Sequence, residues 1–334
     1  MTPTEKTIKE TPHKDESPAV SVIIPAYRAA KFIATALESV FAQTFTDFEI
    51  IVINDGSPDT DELERVLADY SGRIIYLRQK NGGPAAARNS GILAASGRWV
   101  AFLDADDYWY PDFLSEQMAF LSRDPTLDLV YANALLVGEA PLAGRTFMDA
   151  TPSKGEVTFE SLLDERCTVL LSGVVARRQT VIDAGLFDEN FHYAEDYDLW
   201  LRIAKRGARL SYQRKVLLCK RWHAESLCAD DLKFFENALH VLDKVGRSND
   251  LSESERESLI RHENKLIAYM KLEHGKINLS RGHFSAAVEA FREANEFYRS
   301  WKLRWVVFWL RLWPNLLCRI YNYYRPLTIQ SRQK

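Results

Sequence analysis

The chain has 334 residues and a mass of 38.3 kDa, which suits one large domain with an appendage. Hydrophobic residues make up 46% and charged ones 27%, which excludes global disorder, and 15 Gly with 12 Pro exclude a collagen-like or low-complexity chain. A net charge of -3, from 43 basic and 46 acidic residues, is far from that of a nucleic-acid coat, so no nucleic-acid partner is expected.

The 4 cysteines, Cys167, Cys219, Cys228 and Cys318, contain no C-x-x-C pair and do not form a disulfide framework, so a reducing, cytoplasmic compartment is expected. Residues 1–17 read as a solvated tail without the apolar region of a secretory signal. No uninterrupted apolar run reaches membrane-spanning length.

In chain order, Val20, Val22, Ile23 and Ile24 begin a buried strand that stops at Pro25. Ala30 to Phe41 has helical spacing, and Phe48 to Ile53 is a second strand ending at Asn54-Asp55-Gly56-Ser57. A helix over Asp61 to Tyr70 and a strand over Ile74 to Leu77 follow. Pro84 to Ala95 is an Ala-rich helix with Pro in its first turn. Trp99 to Leu103 is a fourth strand, running into Asp104-Ala105-Asp106-Asp107. Strands that alternate with helices and read as continuous apolar runs predict a mostly parallel sheet sandwiched by helices. In such sheets ligands sit beyond the carboxyl ends of the strands, where each of these polar clusters falls.

The second half is less regular. Strands are expected over Asp128 to Ala132, Val169 to Ala176 and Val216 to Cys219, and a helix over Glu195 to Ala204. From Asp230 the pattern is helical. Gly275, Gly282, Phe284, Ala287, Phe291 and Ala294 have the spacing of one tetratricopeptide unit, which reads here as a helical hairpin because one unit cannot form an array.

The strongest chemical signal is the Asp104 to Asp107 run after a buried strand. Closely spaced carboxylates repel, so ionising them together is costly unless a cation lies between them. Mg²⁺ and Mn²⁺ take such hard oxygen ligands and share them with substrate phosphates. Other groups are open to two readings. Asn54 to Ser57 suits a simple strand-to-helix turn as well as a base-reading Asp55. Arg88 is either a surface residue or a ligand for phosphate or ribose oxygens near a helix start. Glu195-Asp196 either complements a helix dipole or supplies a general base. His223 is a structural histidine or a metal ligand. No G-x-G-x-x-G, P-loop, G-x-S-x-G elbow or Cys–His motif is present.

Together, S-V-I-I-P-A-Y at Ser21 to Tyr27, N-D-G-S at Asn54 to Ser57, A-R-N-S-G at Ala87 to Gly91, F-L-D-A-D-D at Phe102 to Asp107 and E-D-Y-D-L-W-L-R at Glu195 to Arg202 resemble the family 2 glycosyltransferases. The likeness runs from Val20 to about Leu227 in matching order and spacing. The resemblance implies a GT-A fold, a nucleotide-sugar donor (UDP-linked by expectation), a divalent metal, Mn²⁺ or Mg²⁺, and inversion at the anomeric carbon. It implies that Pro25, Ala26, Tyr27, Asp55, Arg88, Asp104 and Ala105 bind the nucleotide sugar, that Asp106 and His223 hold the metal, and that Asp196 is the catalytic base. The family commonly has Pro or Gly after that His, where this chain has Ala224.

The expected organisation is a tail (1–17), a GT-A domain (18–228) with a nucleotide-sugar half (18–125) and an acceptor half (126–228), a helical region (229–300) and a basic, Trp-rich tail (301–334). In that tail Trp301, Trp305, Trp309 and Trp313 recur every fourth residue among Lys302, Arg304, Arg311 and Arg319, with no acid after Glu296. The stripe either packs on protein or, as the one-signed charge favours, lies in an anionic membrane interface through residues 301–325. The expected activity is metal-dependent, inverting transfer of a sugar to a hydroxyl on a lipid-linked or surface-polysaccharide glycan at the inner face of the cytoplasmic membrane. The alternatives are a nucleotidyltransferase, which should carry a glycine- and basic-rich loop after its first strand, and a nucleotide-sugar-binding scaffold, which should lack Asp106 or Asp196.

Overall fold

The computed structural model describes residues 17–138, 143–151, 153–223 and 231–331. It divides into two units, one of residues up to 138 with 144–222, the other of 223–334 with 139–143. Most of the amino-terminal tail, Ala224 and Cys228 lie outside the described residues.

The first unit opens with β1 (Val20–Ala26), α1 (Ile33–Phe41), β2 (Phe48–Asp55), α2 (Thr60–Leu67), β3 (Ile75–Gln79), α3 (Gly83–Ala94) and β4 (Trp99–Phe102). It continues through β5 (Tyr108–Trp109), α4 (Phe113–Arg123), β6 (Leu129–Gly138), α5 (Phe147–Ala150), α6 (Phe159–Leu163), β7 (Val174–Arg177), α7 (Arg178–Asp183), α8 (Glu195–Lys205) and β8 (Leu210–Trp222). The 8 strands form one sheet in the order β3-β2-β1-β4-β7-β6-β8-β5. β3, β2, β1 and β4 run parallel, as the continuous apolar runs predict. Val22, Ile23 and Ile24 are fully buried, and α1 covers one face with Ile33, Ala36, Leu37 and Val40.

Beyond β4 the sheet is mixed: β7 pairs antiparallel with β4 and β6, while β8 runs parallel to β6 and antiparallel to β5. The strand expected over Val169 to Ala176 starts only at Val174, after a 3₁₀ turn over Leu171–Gly173. Side chains satisfy that turn in place of a ladder: Trp109 Nε1 donates to the Ser172 carbonyl at 2.7 Å, and Gln117 Nε2 to that of Gly173 at 2.7 Å. β8 is longer than the apolar Val216 to Cys219, because its polar start pairs with β6 across a register shift at Ala132 to Ala134.

The second unit holds α9 (Asp231–Gly246), α10 (Glu253–Ser280), α11 (Phe284–Tyr298), α12 (Trp301–Leu312) and α13 (Pro314–Ser331). α10 starts at a capping box between Ser252 and Glu255 and packs along α11 as a helical hairpin. A Cβ on Gly275 would lie 2.6 Å from the Phe291 ring, so the glycine is what lets that ring rest on α10. Leu279, Ala287, Phe291, Val307 and Leu310 form this unit's core, with Leu303 and Leu317 against it.

Candidate active site

Four loops at the carboxyl ends of β1, β2 and β4 and at the start of α8 carry the polar residues that the sequence singles out. Ala26 ends β1 buried, Pro25 is half-buried and Tyr27 is exposed. Arg28 turns the chain in a left-handed conformation, φ 52°, and its amide donates to Ser57 Oγ at 2.6 Å, tying the β1 loop to the β2 loop.

Asp55, at the end of β2, is buried and fastens its strand to the start of α3. Its Oδ1 accepts from Gln79 Nε2 at 2.8 Å and from the Gly82 amide at 2.9 Å, and its Oδ2 from the Gly83 amide at 2.8 Å. A carboxylate offers about four acceptor positions, so one remains on Oδ2. Gly56 follows with φ +61°, and a Cβ there would meet the Asn81 nitrogen at 2.6 Å.

At the end of β4, the Leu103 amide still bonds to Ile23, and the chain then turns through Asp104 to Asp107. The Asp104 amide lies 3.3 Å from Ser172 Oγ. Asp107 is buried against β8, where its Oδ1 accepts from the Arg221 amide at 2.7 Å and its Oδ2 lies 3.8 Å from Lys220 Nζ. Asp104, Asp106 and Asp107 each bring a carboxylate oxygen within 4.8 Å of the others. Asp107 Oδ2 is buried without a hydrogen-bond partner among the described residues. An all-oxygen, multiply charged donor set with an unsatisfied buried oxygen fits Mg²⁺ or Mn²⁺. Asp106 is half-buried, and Ala105 beside it is buried.

Arg88, on the second turn of α3, is buried. Its Nη2 donates to Asp104 Oδ1 at 2.8 Å and its Nη1 to Glu195 Oε1 at 2.6 Å, and its guanidinium lies 5.6 Å from the Phe187 ring. Burial works against ionisation of Asp104, but Arg88 and Lys220 hold its carboxyl below the usual range. Burial pushes Glu195 up to about 7 against the pull of Arg88, with Asp196 adding repulsion. Burial likewise raises Asp196, again against Arg88. One guanidinium thus faces three carboxylates, and of these Asp104 alone is held below its usual range.

Asp196 occupies the first turn of α8, which the chain enters through Ala194 in a left-handed conformation, φ 59°. Its Oδ1 accepts from the Tyr197 amide at 2.8 Å. Trp200 of α8 packs edge-on to Phe102 and Phe187, fixing the helix behind the site. His223 follows β8 directly in the chain and opens the second unit.

The structure therefore brings Arg88, Asp104 and Glu195 together in one ion-paired cluster, with Asp196 adjacent in sequence. Sequence reasoning gave no role to Glu195 as the partner of Arg88, to Ser172 or to Lys220. Only Lys220 had a local signal, as a basic residue at a strand end. A separate cleft of about 590 Å³, lined by Phe120, Arg123, Val157 and Tyr212, lies where β6 and β8 begin, at the opposite end of the sheet.

A family model described as Glycosyl transferase family 2 matches residues 21–144, and one described as Glycosyl transferase family group 2 matches residues 99–231. An uncharacterized glycosyltransferase of Rickettsia prowazekii is 33% identical over 215 residues, covering 62% of this chain and 65% of that one. Across five such Rickettsia relatives the chain spans 30% to 65% of their length. The Escherichia coli UDP-Glc:alpha-D-GlcNAc-diphosphoundecaprenol beta-1,3-glucosyltransferase WfaP is 31% identical over 230 residues, covering 68% of this chain and 86% of that one. The mannosyltransferase PcManGT of Pyrobaculum calidifontis, solved in complex with GDP-Man and Mn²⁺, has a similar fold, with a TM-score of 0.61 at 19% identity over 99% of this chain and 88% of that one.

Proposed function

The chain belongs to glycosyltransferase family 2, and from that premise we propose that it is a metal-dependent, inverting glycosyltransferase. It moves a hexose from a UDP-linked donor to a hydroxyl of a polyprenyl-diphosphate-linked glycan, in surface-polysaccharide assembly. The observation that carries this reading is the buried guanidinium of Arg88, bound to the donor-side carboxylate Asp104 and to Glu195, the neighbour of Asp196. The choice of donor and acceptor is supported by the activity named for the E. coli relative.

Pro25, Ala26 and Tyr27 line the nucleoside side, with Asp55 offering its remaining acceptor position to a base N–H, and Asp104 and Ala105 border the ribose. Asp106, with Asp104 and Asp107 beside it, would hold the metal, which would supply charge neutralisation for the leaving diphosphate. Arg88 holds Asp104 and the start of α8 in place, so that donor and base sides keep one geometry. Asp196 takes the proton from the acceptor hydroxyl as that oxygen bonds to the anomeric carbon and the bond from that carbon to the diphosphate oxygen breaks. A positioned base contributes on the order of 10²–10⁴ in rate, and most when its pKa lies nearer the working pH, the direction in which burial moves Asp196. A single displacement of this kind needs no protein nucleophile and inverts the anomeric centre.

The enzyme works at the inner face of the cytoplasmic membrane, where such acceptors lie, with residues 301–325 as its membrane contact. The deciding experiment is product formation from UDP-, GDP- and dTDP-sugars with and without Mn²⁺, on a polyprenyl-diphosphate-linked N-acetylglucosamine acceptor. Transfer only from a UDP-hexose, with the opposite anomeric configuration in the product, is the expected result. Nucleotide binding with no transfer from any donor makes the chain a scaffold instead.

A further inference from the structure

α12 has two apolar faces, and the second unit uses only one of them. Val307 and Leu310 are buried in its core, and Leu303 and Val306 pack beside them. On the opposite side Trp301, Trp305, Phe308, Trp309 and Leu312 are 60%, 51%, 48%, 37% and 52% exposed. At about 100° per residue these five fall within one narrow sector, and Trp313, just past the helix end, continues it. The rings form a continuous surface: Trp305 stacks on Trp309 at 6.2 Å, Trp309 on Trp313 at 4.8 Å, and Phe308 meets Trp305 edge-on at 5.5 Å. Leu316, Ile320 and Tyr323 of α13 are exposed as well.

The charges beside this face favour one kind of cover. The same helical spacing puts Lys302 on one flank of the aromatic sector and Arg304 and Arg311 on the other, all three exposed, with Arg319 exposed on α13. No acidic residue follows Glu296. A large apolar strip edged on both sides by cations, in a tail without acidic residues, complements a surface that is apolar inside and anionic at its rim. Trp favours the headgroup level of a bilayer, and flanking Lys and Arg extend their charged ends to lipid phosphates while their stems lie on apolar surface. No helix among the described residues is long and apolar enough to cross a membrane, so the contact lies in the interface plane.

We propose that the outward face of α12, built on Trp301, Trp305, Phe308, Trp309 and Leu312 and edged by Lys302, Arg304 and Arg311, is a preformed binding surface for anionic lipid bilayers. It rests on the membrane-side reading of residues 301–325 given above and is independent of the chemistry at Asp106 and Asp196. The buried Val307–Leu310 face holds the helix to α10 and α11, so the aromatic face is in place before it meets lipid and little ordering entropy opposes binding.

The test is co-sedimentation of the full chain, without donor or acceptor, with vesicles of phosphatidylcholine alone and with phosphatidylglycerol added. The wild-type chain should bind the anionic vesicles, more weakly as salt rises. Lys302→Glu with Arg304→Glu and Arg311→Glu should weaken that binding by at least about 10²-fold, at about fivefold per basic residue removed. Trp305→Ser with Trp309→Ser should weaken binding to every vesicle by about tenfold or more. Both variants should keep the wild-type circular dichroism spectrum, because these side chains lie outside the core, and should keep transfer to a detergent-solubilised acceptor. Loss of transfer with vesicle binding intact strikes the enzymatic reading alone. Binding unaffected by the Trp changes, or by lipid charge, overturns the proposal. So does sedimentation equilibrium showing a dimer that the Trp changes dissociate, with no vesicle binding by the wild type, because the face then belongs to a second copy.

Discussion

Arg88 Nη1 and Glu195 Oε1 lie 2.6 Å apart although 107 residues separate them in the chain. Through that bond, and through the 2.8 Å bond from Nη2 to Asp104, the α3 helix joins the end of β4 to the start of α8. The side chains of Arg88 and Glu195 are only 6% and 9% exposed, so water cannot replace either partner. Removing the cation leaves buried carboxylates uncompensated. Arg88→Gln should therefore destabilise the chain by about 3–5 kcal/mol, as seen for broken buried pairs. Chemical denaturation measures this, and Arg88→Gln with Glu195→Gln should recover part of the loss. Losses in the two single variants that simply add in the double variant would show that the pair is not coupled.

The carboxylate cluster at the end of β4 predicts metal dependence. Asp106→Asn should lower transfer by about 10²–10³-fold, the scale of losing one electrostatic contact to a developing charge. It should also remove the Mn²⁺ dependence of nucleotide affinity in titration calorimetry. Full transfer in excess chelator would sink the metal assignment.

Asp196→Asn should lower kcat by about 10²–10⁴-fold with nucleotide affinity unchanged. If Glu195→Gln does this and Asp196→Asn does not, the base is Glu195.

The same base sets a pH limb. Asp196 accepts a proton only when ionised, and burial raises its pKa above the ordinary 3.8. Activity should fall on the acid side at a pH above that of an ordinary aspartate. Arg88 opposes the shift, so Arg88→Gln, which removes a nearby positive charge, should move the limb to higher pH in whatever fraction remains folded. A limb that moves down in Arg88→Gln contradicts this electrostatic account.

In the helical unit, Gly275→Ala sets helix propensity against packing. Alanine gains about 1 kcal/mol over glycine in a helix, but its Cβ would sit 2.6 Å from the Phe291 ring, an overpacking that costs about 1–3 kcal/mol. The melting temperature should fall. Adding Phe291→Leu, which removes the clashing ring, should make the Gly275→Ala step less costly than it is alone.

Local chemistry alone determined several features. β1, β2 and β4 were legible because a strand buried on both faces must be apolar throughout, and the acids of Asp104 to Asp107 stood out against such a run. The α10–α11 hairpin was legible from the spacing of small and aromatic residues about Gly282. Only the tertiary structure decided how these pieces meet. Arg88 read equally well as a surface residue or a phosphate ligand, because nothing near it in the chain marks Asp104 and Glu195 as its neighbours. Ser172 lies in a turn held by Trp109 and Gln117, where side-chain donors replace the ladder that its apolar surroundings suggest. For the tail, spacing put the four tryptophans on one face of a helix and Leu303, Val307 and Leu310 on another, and either could have turned inward. The core of α10 and α11 took the aliphatic face and left the tryptophans outside. Periodicity defines the faces of a helix, but only the partner it packs against decides which of them is buried.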